Sequence, residues 1–134
     1  MLDVTKVEWM PIPEPEPGEE PHVNCFQRTL LAFSRRMGLT EGETLRLGSY
    51  FGGGMRCGGT CGPVNAGLLV LGWRFGDDPA AAELGREYLE AFAAANGSWL
   101  CADIRDEEHS RCDGAIDWAV GWLESRWNER QESV

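Results

Sequence analysis

A chain of 134 residues with 43% apolar side chains and six tryptophans is long enough for one hydrophobic core, which excludes a disordered protein and leaves little room for a second domain. Its net charge of −10 and pI near 4.6 oppose attraction to the phosphates of nucleic acid or to an anionic leaflet. No stretch reaches the ~20 apolar residues of a membrane span, and the N-terminus lacks the basic and apolar regions of a secretory leader, so the expected setting is the cytoplasm, without membrane or nucleic acid as partner.

Residues 1–20 are expected to form an extended arm, because Pro11-Ile12-Pro13-Glu14-Pro15-Glu16-Pro17-Gly18 alternates proline with glutamate and cannot donate a regular ladder. Val7, Trp9, Met10 and Ile12 are apolar enough to dock that arm on the body or on a second subunit. From about Pro21 the spacing of Phe26, Leu30, Phe33 and Met37 predicts a helix stopped by Gly38. Thr40 and Glu43 spell a capping box for a second helix, which carries Leu45, Leu47 and Tyr50 into Gly52-Gly53-Gly54.

Between Cys61 and Gly76 apolar residues cover nearly every face, the pattern of a central helix enclosed by protein. Asp78-Pro79 then opens a fourth helix with Leu84, Tyr88, Ala91, Phe92 and Ala95 on one stripe, closed by Asn96-Gly97. A short stretch from Ser98 to Asp106 leads to a last helix from about Ser110, with Ile116, Ala119, Leu123 and Trp127 on one face. No segment alternates as a strand. The fold class is therefore all-α: a single helical domain of about five helices, residues 21–134, behind the arm.

In a reducing compartment five cysteines argue for metal or redox chemistry rather than a disulfide framework. Cys25, Cys61, Cys101 and Cys112 each fall near the start of a predicted helix, where unpaired amides and partial positive charge favour thiolate and can donate to bound sulfur. Acidic neighbours, Asp103, Asp106, Glu107, Glu108 and Asp113, act in the opposite direction. If the four helix starts converge, four thiolates meet, the ligand number of a [2Fe–2S] or [4Fe–4S] cluster and equally of tetrahedral zinc. No Cys-x-x-Cys pair is present, and the competing reading keeps Cys25, Cys101 and Cys112 as small buried apolar residues.

Asn24-Cys25, Gly38-Leu39, the block Phe51-Gly52-Gly53-Gly54-Met55-Arg56, and Gly59-Thr60-Cys61-Gly62 followed by an apolar helix, Cys101 and Cys112 together resemble a known family. That family is the set of redox-active proteins named for one cysteine, a Gly-Cys-Ala-x-x-Gly block and two further cysteines. The resemblance implies a helical domain in which Cys25, Cys61, Cys101 and Cys112 are the pattern cysteines and metal ligands, while Cys57 is extra. The sequence departs from the pattern at Pro63, where alanine is usual, and at Ala66-Gly67, which transposes the expected order. A similar domain occurs in split-Soret cytochromes, which pair an iron–sulfur centre with haem in a dimer; without Cys-x-x-Cys-His, covalent haem is not implied here.

Three readings of the cysteines follow. The first is an iron–sulfur cluster for electron transfer or redox sensing, with Gly53, Gly54 and Gly62 bringing backbone close to the cofactor and a redox partner protein as client. The second is dithiol chemistry, with Cys61 as catalytic nucleophile and Cys57 as resolving thiol. The third is a structural zinc knot in an interaction module, with a homodimer formed through the arm and the tryptophan face of Trp118, Trp122 and Trp127. Gly52-Gly53-Gly54 is not a phosphate cradle, since no Gly-Lys-Ser/Thr follows it. His109, three residues before Cys112, is a candidate for a mixed ligand set or an exposed loop histidine; His22 is the weaker candidate. No nucleophile–His–carboxylate set argues for an enzyme, and catalysis stays open.

Overall fold

Two capping boxes fix where the helical body begins and how it turns. In the computed structural model, which describes residues 3–12, 14–20, 22–106, 108 and 110–128, Asn24 Oδ1 accepts from the Gln27 amide at 2.8 Å while the Gln27 side chain accepts from the Asn24 amide at 2.8 Å. Helix α1 therefore starts at Cys25 rather than near Pro21, and spans Cys25–Ser34. It stops short of Met37, yet Met37 stays buried because the turn after Ser34 folds it back under the helix end. The box Thr40–Glu43 opens α2, Glu41–Leu47, and Asn24 Nδ2 donates to the Gly48 carbonyl at 2.9 Å, tying the start of α1 to the end of α2. Helix α2 ends before the glycine run, and Leu47 and Tyr50 are exposed rather than part of a buried stripe.

The central helix α3, Gly62–Phe75, packs on α1, on α4 (Pro79–Asn96) and on α6 (Ser110–Trp127). Three neighbours cannot enclose a helix, so Leu68 and Trp73 remain exposed where the sequence predicts burial on nearly every face. The stretch after Ser98 contains one further turn of helix, α5 (Cys101–Ile104), giving six α-helices among the described residues in place of about five. Among those residues there is no strand, only an isolated antiparallel bridge between Thr60 and Leu100, and no helix is long and apolar enough to cross a membrane.

The core is built from Phe26, Leu30 and Phe33 of α1, Val64 and Val70 of α3, Leu84, Tyr88 and Phe92 of α4, and Leu123 of α6. Trp118 stacks on Tyr88, Trp122 packs against Tyr88 at a tilt, and Trp127 stacks on Phe33 and Trp73. These tryptophans belong to the core and do not line the cysteine cavity described below. Arg36 and Arg74 lie over the Trp127 ring, and Arg74 donates to the Trp127 carbonyl at 2.9 Å, closing the C-terminal end of α6. Trp9, Val7 and Ile12 of the arm are exposed, whereas Met10 docks on the body.

Tyr88 fixes α4 against α3. Its ring is fully buried and its hydroxyl donates to the Pro63 carbonyl at 2.5 Å, at the start of the helix that carries Cys61 as its N-cap. The ring lies over Gly67, where any Cβ would overlap it. We expect Gly67→Ala to destabilise the protein by about 1–3 kcal/mol, because the immobile ring cannot retreat, and Tyr88→Phe by about 1 kcal/mol. Chemical denaturation of both variants checks the order.

Candidate metal and redox centre

The site forms where two loops exchange backbone hydrogen bonds. The Cys61 amide donates to the Trp99 carbonyl at 2.9 Å and the Cys101 amide donates to the Gly59 carbonyl at 2.7 Å, on either side of the Thr60–Leu100 bridge. That pairing brings the start of α3 beside the start of α5. Gly62 brings α1 to the same place: its backbone lies so close to Cys25 Sγ and the Phe26 amide that a side chain at position 62 would collide with both.

The wall between them is a left-handed turn. Gly53, Gly54, Met55 and Arg56 have φ of 61°, 65°, 60° and 64° in succession, and a Cβ on Gly54 would stand 2.5 Å from Cys101 Cβ. Glycine adopts this conformation freely, but Met55 and Arg56 each carry roughly 1–2 kcal/mol of strain there. Arg56 offsets part of it. Its side chain is buried, donating through Nε to the Met10 carbonyl at 2.9 Å and through a terminal nitrogen to the Pro11 carbonyl, while its own carbonyl accepts from the Met10 amide at 2.6 Å. Met10 packs against Gly53, and its sulfur lies 3.6 Å from an Arg105 nitrogen. The arm is thereby strapped across the site.

Beneath the strap is a cavity of about 490 Å³ whose lining includes Cys25, Cys101 and Cys112, with Asn24, Gly52 and Gly53 beside them. Cys61 is buried and lies outside that lining. The four thiols nonetheless form one electrostatic group: Cys61 feels Cys25, Cys101 and Cys112; Cys101 feels Cys25; and Cys112 feels Cys25 and Cys101. Every pair among the four therefore interacts. Cys57 is half-buried, donates weakly to the Gly54 carbonyl at 3.6 Å and adds to the field at Cys101. Among the described residues no three His, Cys, Asp or Glu side chains are drawn closely enough to share a single metal ion. His22 is exposed at the cavity wall, and His109 lies outside the described residues.

At Cys61, Cys101 and Cys112 a helix start does not yield a low-pKa thiol. Burial first, and then the neighbouring cysteines, push Cys61 far above its ordinary value of 9.0, and the same two causes raise Cys101 and Cys112. Asp106 adds to the rise at Cys112, while Arg105 opposes it at both Cys101 and Cys112. Desolvation outweighs the helix-end field because Cys61 and Cys101 are buried at a junction of loops and helices, and a lone thiolate there has no counter-charge in contact. Thiols of this kind release their protons when a cation or cationic cluster takes their place.

Several functional positions were hidden in the sequence. Arg28 and Arg105 at the cavity mouth, and Arg56 with Met10 and Pro11, are brought together only by the fold. Asn24 had a local signal, the Asn-x-x-Gln spelling of a capping box ahead of the first helix.

The geometry defines a class: an all-helical protein in which cysteines from separate helix starts, Cys25, Cys101 and Cys112, line one cavity, with Cys61 buried outside its lining. The chain belongs to the family described as "Putative redox-active protein (C_GCAxxG_C_C)", whose family model matches residues 23–126. The matched span takes in all five cysteines and leaves the arm outside it. No curated protein and no solved structure matches the chain significantly. Family membership supports a redox role for these cysteines.

Raised thiol pKa values have a consequence for metal-free protein. Above pH 9 the unfolded chain loses cysteine protons that the folded chain retains, so stability is complete below that pH and falls as the pH climbs toward the folded values. Melting temperature of chelator-treated, reduced protein should drop as the pH rises above 9, and Cys61→Ser should flatten that drop. Separately, Arg56→Met should release the strap and raise the alkylation rate of Cys112 several-fold, read by mass spectrometry of quenched samples.

Proposed function

We propose that Cys25, Cys61, Cys101 and Cys112 bind an iron–sulfur cluster, [2Fe–2S] or [4Fe–4S], for electron transfer or redox sensing. The observation that carries this reading is that Cys25, Cys101 and Cys112 line one cavity with Gly52 and Gly53 in its wall, while Cys61 is buried next to Gly62, whose backbone lies against Cys25 Sγ, in a chain of a redox family. A cluster core interposes its own iron and sulfide between the cysteine sulfurs, so its ligands stand farther apart than four sulfurs around one zinc. When bound, such a cluster supplies one-electron chemistry whose potential follows its net charge, hydrogen bonding and exposure.

The chain's own residues shape those factors. Cys61 is held away from solvent at the head of α3, and Gly62 keeps the Cys25 side of the site free of side chain. Arg105 favours the ionised form of Cys101 and Cys112, and thiolates must be ionised to act as ligands. The Met10–Pro11 strap covers the opening. Five free cysteines fit a reducing compartment, hence the cytoplasm. The acidic surface fits a basic redox partner protein, and exposed Val7, Trp9 and Ile12 are where a second copy would meet in a homodimer.

The dithiol reading through Cys57 and Cys61 has less support, because a buried thiol with a strongly raised pKa is a poor nucleophile. Structural zinc keeps the right donor chemistry but requires the four sulfurs to close on one ion.

Anaerobic purification with visible spectroscopy and iron and sulfide assays tests the assignment. The expected protein is brown; Cys25→Ser, Cys101→Ser and Cys112→Ser each lose most of the bound iron and Cys57→Ser retains it. A colourless, iron-free wild type would sink the proposal, and zinc in its place would favour the structural site.

A further inference from the structure

The cavity over the cysteines carries charge that its visible partners leave unbalanced. Arg28 is neutralised by Asp113, 2.7 Å away. Arg56 donates only to carbonyls of the strap, and the contact of Arg105 is the Met10 thioether; all of these acceptors are neutral. Among the described residues neither guanidinium has a carboxylate partner. Two guanidinium groups without a carboxylate partner among the described residues therefore line one cavity in a chain whose net charge is −10.

Their positions divide the labour. Arg56 is buried in the wall, fixed by the strap, whereas Arg105 is exposed in the lining against the Met10 sulfur. Guanidinium groups match carboxylates and oxyanions through paired N–H donors, and apolar walls from Met10, Pro11 and Val23 lower the local dielectric and strengthen such contacts. At about 490 Å³ the space suits a small molecule rather than a nucleotide chain or a peptide. We propose that this cavity binds a small oxyanion, a carboxylate or a tetrahedral inorganic oxyanion, held by Arg105 at the mouth and Arg56 beside the cysteines.

The site goes beyond the cluster reading and does not rest on it. A cluster held by these cysteines would occupy the same cavity, so cluster and anion compete for it, and metal-free protein is the form that shows the anion site. The strap forms the roof, which makes the arm part of the ligand site although it lies outside the family match.

Calorimetric titration of the reduced, full-length, metal-free protein with sodium sulfate and with sodium acetate provides the test. At least one of the two should bind saturably at one site per chain. Arg105→Gln should weaken it about tenfold or more, since a charge-assisted contact is lost. Arg36→Gln, which removes an equal charge paired with Glu124 on a different face, should leave the affinity unchanged. Absence of saturable binding by both anions, an Arg105→Gln affinity equal to wild type, or equal losses in the two variants would each overturn the proposal. Iron and sulfide analysis of the same preparation before stripping decides the cluster reading separately, so either idea can fail while the other stands.

Discussion

The cysteine centre depends on backbone pairing between residues 59–61 and 99–101. Cysteines at distant helix starts do not meet by helix packing alone, because a bundle sets its helix ends only to within the slack of its loops. The two hydrogen bonds flanking the Thr60–Leu100 bridge remove that slack, placing the Cys61 and Cys101 amides at 2.9 and 2.7 Å from carbonyls of the opposite segment. With those two fixed, Gly62 admits Cys25 and α6 presents Cys112 from the remaining side. The left-handed turn over Gly53–Gly54 follows from the same constraint: chain must pass close behind Cys101, and glycine at position 54 leaves room for it.

Grouped thiols oppose one another. Burial first, and repulsion from the neighbouring cysteines second, hold Cys61, Cys101 and Cys112 in the neutral form. Arg105 opposes the rise at Cys101 and Cys112 from the cavity lining, which it shares with Arg56.

Much of the helical frame was legible in the sequence because it is written in local signals. Thr40–Glu43, Asp78-Pro79 and Asn96-Gly97 mark ends that the structure places at α2 and α4, and the 3.6-residue spacing of Leu84, Tyr88 and Phe92 is the buried face of α4. Failures have equally local causes. The stripe running through Leu47 to Tyr50 looked continuous, but α2 ends at Gly48, so those apolar residues point away from the core. All-round hydrophobicity in α3 suggested enclosure, which too few neighbouring helices supply. Among candidate site residues, the helix-start placement of the four cysteines could be read directly, whereas their thiol character could not: burial and mutual repulsion exist only after folding.

Least visible beforehand was the arm. Val4–Lys6 form a turn of 3-10 helix within the arm expected to be extended, but the proline-rich stretch after it leaves its carbonyls free, and free carbonyls are what a buried guanidinium needs. Arg56 takes two of them, from Met10 and Pro11, and returns an acceptor to the Met10 amide. Burying an arginine without a carboxylate is costly unless its N–H groups find acceptors in place. The strap is thus as necessary to Arg56 as Arg56 is to the strap, and the strained turn that carries Arg56 also walls Cys101. Solvent access to the cysteines is therefore coupled to docking of the arm through one side chain.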